Sequence, residues 1–297
     1  MGARAEKGKP RGPLWRVEHS LATLVNFAPA PLRPRQGGVL SITFDDFPRS
    51  AWTIGAQVLA AHGAKATYYV CGGHEGGEFE GQEQFTRADL EACVAAGHEI
   101  GCHGFNHLAA TAPARDRFET AVEANRLYLL DRIGREAAHF AYPYGFVSLR
   151  AKAVAAQRFA TARGVRGGVN RVSVDRALIR AEGFESRKLA RQPIAPLLAN
   201  VAACKGWLVL YSHDVSQRPS PFGCTPDDLH AVLKLADTLG LTVAAMSQAA
   251  ALMGLSAGAV AAQERVAGAQ QHGHVGAQGP AFQIPAVERH TLREAQS

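Results

Sequence analysis

The sequence predicts an α/β protein built on a parallel sheet. Three observations predict it. From Val39 onward, short apolar strand-like runs alternate with stretches of helical spacing. The connections between them are short, as in strand–helix–strand units. The residues able to carry chemistry stand just after the strand-like runs, as they do at the carboxyl edge of a parallel sheet. An open doubly wound sheet and a closed barrel both satisfy this pattern.

Taken in order, a Pro-rich lead-in from Ala28 to Pro34 ends at Gly37-Gly38. Expected strands are Val39–Phe44, Ala66–Val70, Glu99–Gly101, Phe140–Tyr142, Phe159–Ala162, Leu178–Ala181, Trp207–Ser212 and Leu241–Ala244. Each is a compact apolar or β-branched run bounded by turn residues. Ala51–Ala61 has apolar residues at helical spacing. Thr86 caps a helix through Ala95, which Gly97 ends. Arg117–Ile133 is a longer helix stopped by Gly134. Thr225-Pro226-Asp227-Asp228 combines a cap, a proline at the first position and acids in the first turn, and its helix runs to Leu239.

Composition narrows the function classes. At 297 residues with 47% apolar and 20% charged, the chain suits a soluble globular protein. No run of apolar residues is long enough to span a bilayer. The net charge of +6 is concentrated at the start: residues 1–38 hold seven Lys/Arg against Glu6 and Glu18. Residues 1–37 therefore read as a basic, Pro-rich arm able to touch an anionic membrane surface. They lack the aromatic interleaving that favours nucleic acid. Residues 38–255 are the expected catalytic domain. Residues 256–297, rich in Ala, Gly and Gln, are expected to be a disordered tail. Five cysteines without a CxxC pair and the absence of a signal-like apolar segment behind the basic start point to reduced thiols and a cytoplasmic protein.

Thr43-Phe44-Asp45-Asp46 ends a buried strand in two carboxylates. Such a pair is costly to desolvate unless it is paired or ligates a metal. His103 and His107 stand four apart in His103-Gly104-Phe105-Asn106-His107. Alone, two histidines at this spacing are common on helix surfaces. With a carboxylate they make a three-ligand cation site, and the second carboxylate remains as a base. Phe140–Gly145 ends a strand in a Pro143-Tyr144-Gly145 turn whose N–H groups can hold an oxyanion. Leu208–Ser212 delivers His213 to a strand end, where it can act as a general acid.

These segments, in this order, resemble the polysaccharide deacetylase family, the NodB-homology domain of carbohydrate esterase family 4. The resemblance covers roughly residues 38–250. It implies a deformed (β/α) barrel that removes acetyl groups from sugars, with an N-acetylhexosamine unit of a poly- or oligosaccharide, free or lipid-linked, as substrate. It implies Asp45 as general base and Asp46, His103 and His107 as ligands of a divalent metal. Zn²⁺ is the first expectation, with Co²⁺, Ni²⁺ or Mn²⁺ compatible with the same donors. It further implies the backbone N–H of Tyr144 at the oxyanion and His213 as general acid. The alternatives are an amide hydrolase of the same fold acting on a formamide or cyclic amide, and a carbohydrate-binding protein without catalysis.

Three departures stand out. The family's Gly after the acidic pair is Phe47, which is expected to narrow the cleft. Its Arg two residues before the Pro-Tyr turn is Ala141, and Arg163 is expected to replace it, with Arg166 as second choice. Its Leu two positions before the His is Tyr211.

Overall fold

The computed structural model describes residues 14–111 and 115–255. At its centre eight strands form one sheet: β1 (Val39–Phe44), β2 (Thr67–Val70), β3 (Glu99–Cys102), β4 (His139–Ala141), β5 (Thr161–Arg163), β6 (Glu182–Gly183), β7 (Trp207–Ser212) and β8 (Thr242–Val243). The strand order is β6-β7-β1-β2-β3-β4-β5, with β8 paired to the start of β1. Every pairing in it is parallel. The sheet curls into an incomplete barrel, which is the deformed (β/α) architecture expected. The longest register joins β7 to β1, from Trp207 opposite Val39 to Ser212 opposite Phe44.

The pleat sorts side chains onto two faces. Leu40, Ile42, Phe44, Tyr68, Ile100, Phe140, Leu208 and Leu210 belong to the core under the helices. Val39, Tyr69, Ala141, Trp207, Val209 and Tyr211 belong to a second cluster on the opposite face of the sheet. The odd-numbered residues of these strands thus share the barrel interior. Continued past the strand ends, that alternation aims Asp45, His103, Arg163 and His213 toward one mouth.

Most elements lie where the sequence places them, with instructive exceptions. Leu178–Ala181 is not a strand. Ile179 makes an isolated bridge to Arg163. The N–H and C=O of Arg180 are instead taken by the Asn170 side-chain amide, each at 2.9 Å, so a side chain occupies the place of a neighbouring strand. Phe159 caps a helix, Leu149–Arg158, that begins at Ser148, and β5 starts only at Thr161. Within the expected arm, Leu14–Leu24 is a helix, here α1, and Pro29–Pro31 pairs antiparallel with Ser173–Asp175. Residues 1–13 and the expected tail from 256 onward lie outside the described residues.

The amino-terminal end of the barrel is closed by a polar network. Thr67 Oγ1 donates to Glu99 at 2.9 Å, and Ser247 Oγ donates to the same carboxylate at 2.5 Å. His139 bridges Thr161 Oγ1 at 2.7 Å and Ser247 Oγ at 3.0 Å. Nearby, His98 Nδ1 accepts the Ala66 N–H at 3.1 Å, which fixes it as a neutral acceptor. Burial lowers both imidazoles below the ordinary 6.5, His98 to about 4.

The unfolded chain takes up these protons near 6.5. Stability is therefore full above that pH and falls as pH drops toward about 4. The urea midpoint is expected to decline between pH 7 and 5 on this account. His98→Gln, which can still accept from Ala66, should flatten the decline. A midpoint equally steep in the variant would remove His98 from the explanation.

Candidate active site

The acidic pair sits on a backbone turn. Asp45 follows β1 directly, and its N–H continues the ladder to the Ser212 carbonyl at 2.9 Å. Asp46 and Phe47 then adopt left-handed conformations, with φ of 62° and 60°. Strand alternation would send two adjacent carboxylates to opposite faces; the left-handed turn returns Asp46 to the mouth. Phe47 does not narrow the cleft, contrary to expectation. Its ring is fully buried, stacked on Phe85 at 5.0 Å and packed against Tyr68 at 4.7 Å. Burying that ring offsets the strain of a non-glycine residue in this conformation.

His103 and His107 reach the same place from the loop after β3. His107 is itself left-handed, with φ of 50°. His103 Nδ1 lies 2.7 Å from the Ala141 carbonyl, an acceptor, so this nitrogen carries the hydrogen and Nε2 carries the lone pair. The two Nε2 atoms face Asp46 Oδ1, at 3.6 Å for His103 and 3.3 Å for His107. Asp46 Oδ1 is buried and accepts no hydrogen bond among the described residues. Two acceptors, Asp46 Oδ1 and His103 Nε2, therefore face one point, with His107 Nε2 beside them.

A divalent cation fits that arrangement. The donor atoms of Asp46, His103 and His107 lie within 4.8 Å of one another. Ligands about 2.1 Å from a tetrahedral ion stand roughly 3.4 Å apart. Without a cation, burial pushes the Asp46 carboxyl up to about 7; His213 opposes this, Asp45 and Glu80 add to it, and Arg163 opposes it. Burial holds His103 well below its ordinary value, so the imidazole is neutral and ready to ligate.

Arg163, the last residue of β5, donates through Nη2 to Asp45 Oδ1. Its side chain is fully buried. The guanidinium carbon lies 4.6 Å from the centre of the Tyr69 ring and 5.2 Å from that of Tyr211. Two aromatic faces thus flank a buried cation whose carboxylate partner is Asp45. Tyr211, a departure in the sequence, is one of those faces. Ala141 leaves its position free of any side chain that could do this, while its carbonyl orients His103.

His213 lies at the rim, its side chain 23% exposed, with Nε2 3.8 Å from Asp46 Oδ2. Its Nδ1 faces the Phe222 carbonyl at 3.3 Å. Tyr144 occupies a left-handed position, φ 58°, in the turn after β4, and its ring packs edge-on to His107 at 4.3 Å. All seven residues singled out in the sequence therefore gather at one end of the barrel. Arg166, the second choice for the Asp45 partner, is exposed and does not reach it.

Sequence reasoning missed several neighbours. Tyr69 carried no signal beyond its place in a strand. The hairpin Glu78–Glu83 brings Phe79 against His107 at 5.0 Å and against His74 at 4.2 Å. Cys71 and His74 also offer donor atoms near Asp46. The Cys71 thiol, however, donates to the His103 carbonyl at 3.3 Å, and burial raises its pKa well above the ordinary value. A protonated thiol is a poorer ligand than the two imidazoles.

A polysaccharide deacetylase family profile matches residues 33–161. Over that stretch, less than half of the chain, the sequence is similar to the polysaccharide deacetylase family. The matched stretch contains the acidic pair, both histidines and Tyr144 but ends before Arg163 and His213. No curated protein is matched by sequence. Among solved structures, the chain is similar to the Xyl-CE4 domain of a multidomain xylanase from the hindgut metagenome of Trinervitermes trinervoides. That likeness has 19% identity over 74% of this chain and 92% of the other, with a TM-score of 0.54. It is also similar to T48 deacetylase, solved with substrate, at 15% identity over 72% of this chain and 91% of the other, TM-score 0.50. A CE4 family pseudoenzyme from Bacillus anthracis is matched at 13% identity over 73% and 66%, TM-score 0.46. The first two likenesses establish the fold alone; activity is a matter for the site.

Two outcomes follow from the packing. Phe47→Ala is expected to lose about 3–5 kcal/mol of stability through the cavity it leaves, with cation binding by the folded protein retained. A stability unchanged in denaturant titration would place the ring outside the core. Arg163→Ala strands the buried Asp45 charge and is expected to cost about 3–5 kcal/mol. Calorimetry showing wild-type stability would mean that the pair is not desolvated.

Proposed function

We propose that this protein is a metal-dependent hydrolase of the polysaccharide deacetylase family that removes N-acetyl groups from N-acetylhexosamine units of a poly- or oligosaccharide. One observation carries the reading: the buried Asp46–His103–His107 donor set lies beside a second carboxylate, Asp45, that ligates nothing and is tethered to Arg163. A structural ion would be closed by a fourth protein ligand and would need no free carboxylate beside it. A free base beside the ligands is what hydrolysis requires.

Asp46, His103 and His107 would hold the cation, with Zn²⁺ as the first choice and Co²⁺, Ni²⁺ or Mn²⁺ suited to the same donors. When bound, such an ion supplies Lewis acidity to water and to the acyl oxygen. Asp45 takes the proton from the attacking water, and Arg163 fixes its orientation through the shared hydrogen bond. The Tyr144 N–H stabilises the negative charge on the acyl oxygen. His213, at the solvent-facing rim, gives a proton to the departing amine. Its partial exposure suits a group that must be reprotonated each turnover.

The test is acetate release from N-acetylglucosamine oligomers by the Zn²⁺- or Co²⁺-loaded chain. Asp45→Asn is expected to lose about 10²-fold or more in rate, the scale of a general base, while elemental analysis still finds the metal. His107→Ala is expected to lose the metal itself. Failure of the loaded wild type to release acetate from any oligomer would overturn the substrate, and full activity of Asp45→Asn or Arg163→Ala would overturn the assigned roles.

A further inference from the structure

Helix α1 has two apolar faces. One packs inward: Trp15 lies 4.5 Å and His19 5.9 Å from the Phe146 ring, and Ala22 is fully buried. The other is open. Leu14, Val17, Leu21 and Leu24 are 82%, 59%, 53% and 76% exposed. At about 100° per residue they fall within roughly 80° of one another, a single stripe. Val25 and Phe27 extend it, each more than two-fifths exposed.

The stripe is held outward rigidly. Buried Lys152 donates to the carbonyls of Ala22 and Val25, at 2.8 and 2.5 Å, and pairs with Asp175 at 2.5 Å. Asp175 in turn accepts the N–H groups of Phe27 and Ala28. The end of the helix is thus tied to the body of the fold through its backbone, which leaves its outer side chains free.

A cavity of about 650 Å³ opens beside this end of the helix, bordered by Thr23–Asn26. Arg166, Arg171 and Arg180 line it. None has a carboxylate within ion-pair distance among the described residues, and the one acid in the lining, Asp175, is already neutralised by Lys152. Arg180 Nη1 donates only to the Gly167 carbonyl, at 3.0 Å. Burial and the nearby charge of Arg166 lower its pKa, so an anion would relieve the site. Val172, 78% exposed, stands next to Arg171 on the same loop. In sequence, the residues before α1 add Arg4, Lys7, Lys9 and Arg11 against Glu6.

We propose that this face docks on the surface of an anionic phospholipid bilayer. The apolar stripe enters the interface in the plane of the membrane, and the arginine cavity receives lipid phosphate. An apolar stripe beside unpaired cations is the pattern of a monotopic anchor. A second copy of the chain is a worse occupant, because a two-fold contact through this face would bring its unpaired arginines toward those of the partner.

The test is vesicle flotation of the full-length chain, with phosphatidylcholine alone and with phosphatidylcholine containing about 30% phosphatidylglycerol, at about 50 and about 300 mM salt. Wild type is expected to bind the anionic vesicles at least tenfold more tightly than the neutral ones, and less tightly at high salt. Leu21→Asp/Leu24→Asp, both at exposed positions, should abolish binding without changing Tm. Arg171→Ala/Arg180→Ala should remove the preference for anionic lipid; Arg171→Glu alone serves if Arg180 proves necessary for folding. Equal binding to both vesicles, or undiminished binding by the leucine variant, would overturn the proposal. So would a concentration-dependent dimer that the leucine substitutions dissolve, which would assign the face to a second copy.

Discussion

The mouth of this barrel depends on two left-handed residues. A strand cannot present neighbouring side chains to one point, yet the proposed chemistry needs Asp45 and Asp46 together. The reversal at Asp46 and Phe47 solves this at a cost of about 1–2 kcal/mol for each non-glycine residue. A glycine would adopt the second position with less strain. Phe47 takes it while burying an aromatic ring against Phe85 and Tyr68. The turn that exposes a carboxylate to the mouth is therefore anchored by the core beneath it.

From that turn the rest follows by alternation. Along β1 to β5 and β7, parallel strands in register put the odd-numbered side chains inside and the next odd position beyond the strand at the rim. Five segments far apart in the chain thereby meet. The same rule explains how Arg163 can take the place that Ala141 leaves without a cation. Ala141 and Arg163 pair directly across β4 and β5, so moving the guanidinium to the next strand keeps it inside the barrel. Two tyrosine faces then hold it, and Tyr211 is the price of that relocation.

Much of this was legible in the sequence. The acidic pair, the two histidines and the strand-borne His213 announced themselves because polar residues ending apolar runs are costly without a purpose. Arg163 could be singled out because the chain lacked a cation at Ala141 and offered one at another strand end. Its aromatic clamp could not, because Tyr69 and Tyr211 look like ordinary strand residues until the register is known. The role of Phe47 was misjudged for a related reason: its direction depends on a backbone conformation that composition does not reveal. Leu178–Ala181 failed as a strand because one amide, Asn170, satisfies the backbone groups that a neighbouring strand would have used. Helix α1 was hidden within a stretch read through its charge and prolines alone.

The two ends of the barrel are polar in opposite senses. At the amino-terminal end, Thr67, Glu99, His139, Thr161 and Ser247 satisfy one another. At the mouth, Asp46 Oδ1 accepts no hydrogen bond among the described residues and faces the lone pair of His103 Nε2. The mouth is thus the end at which a buried carboxylate and an imidazole lone pair oppose each other. Without a cation, burial of Asp46 disfavours its charged form, so the acid there works against the stability of the fold that carries it. An ion held by the same residues would turn that cost into the driving force for its own capture.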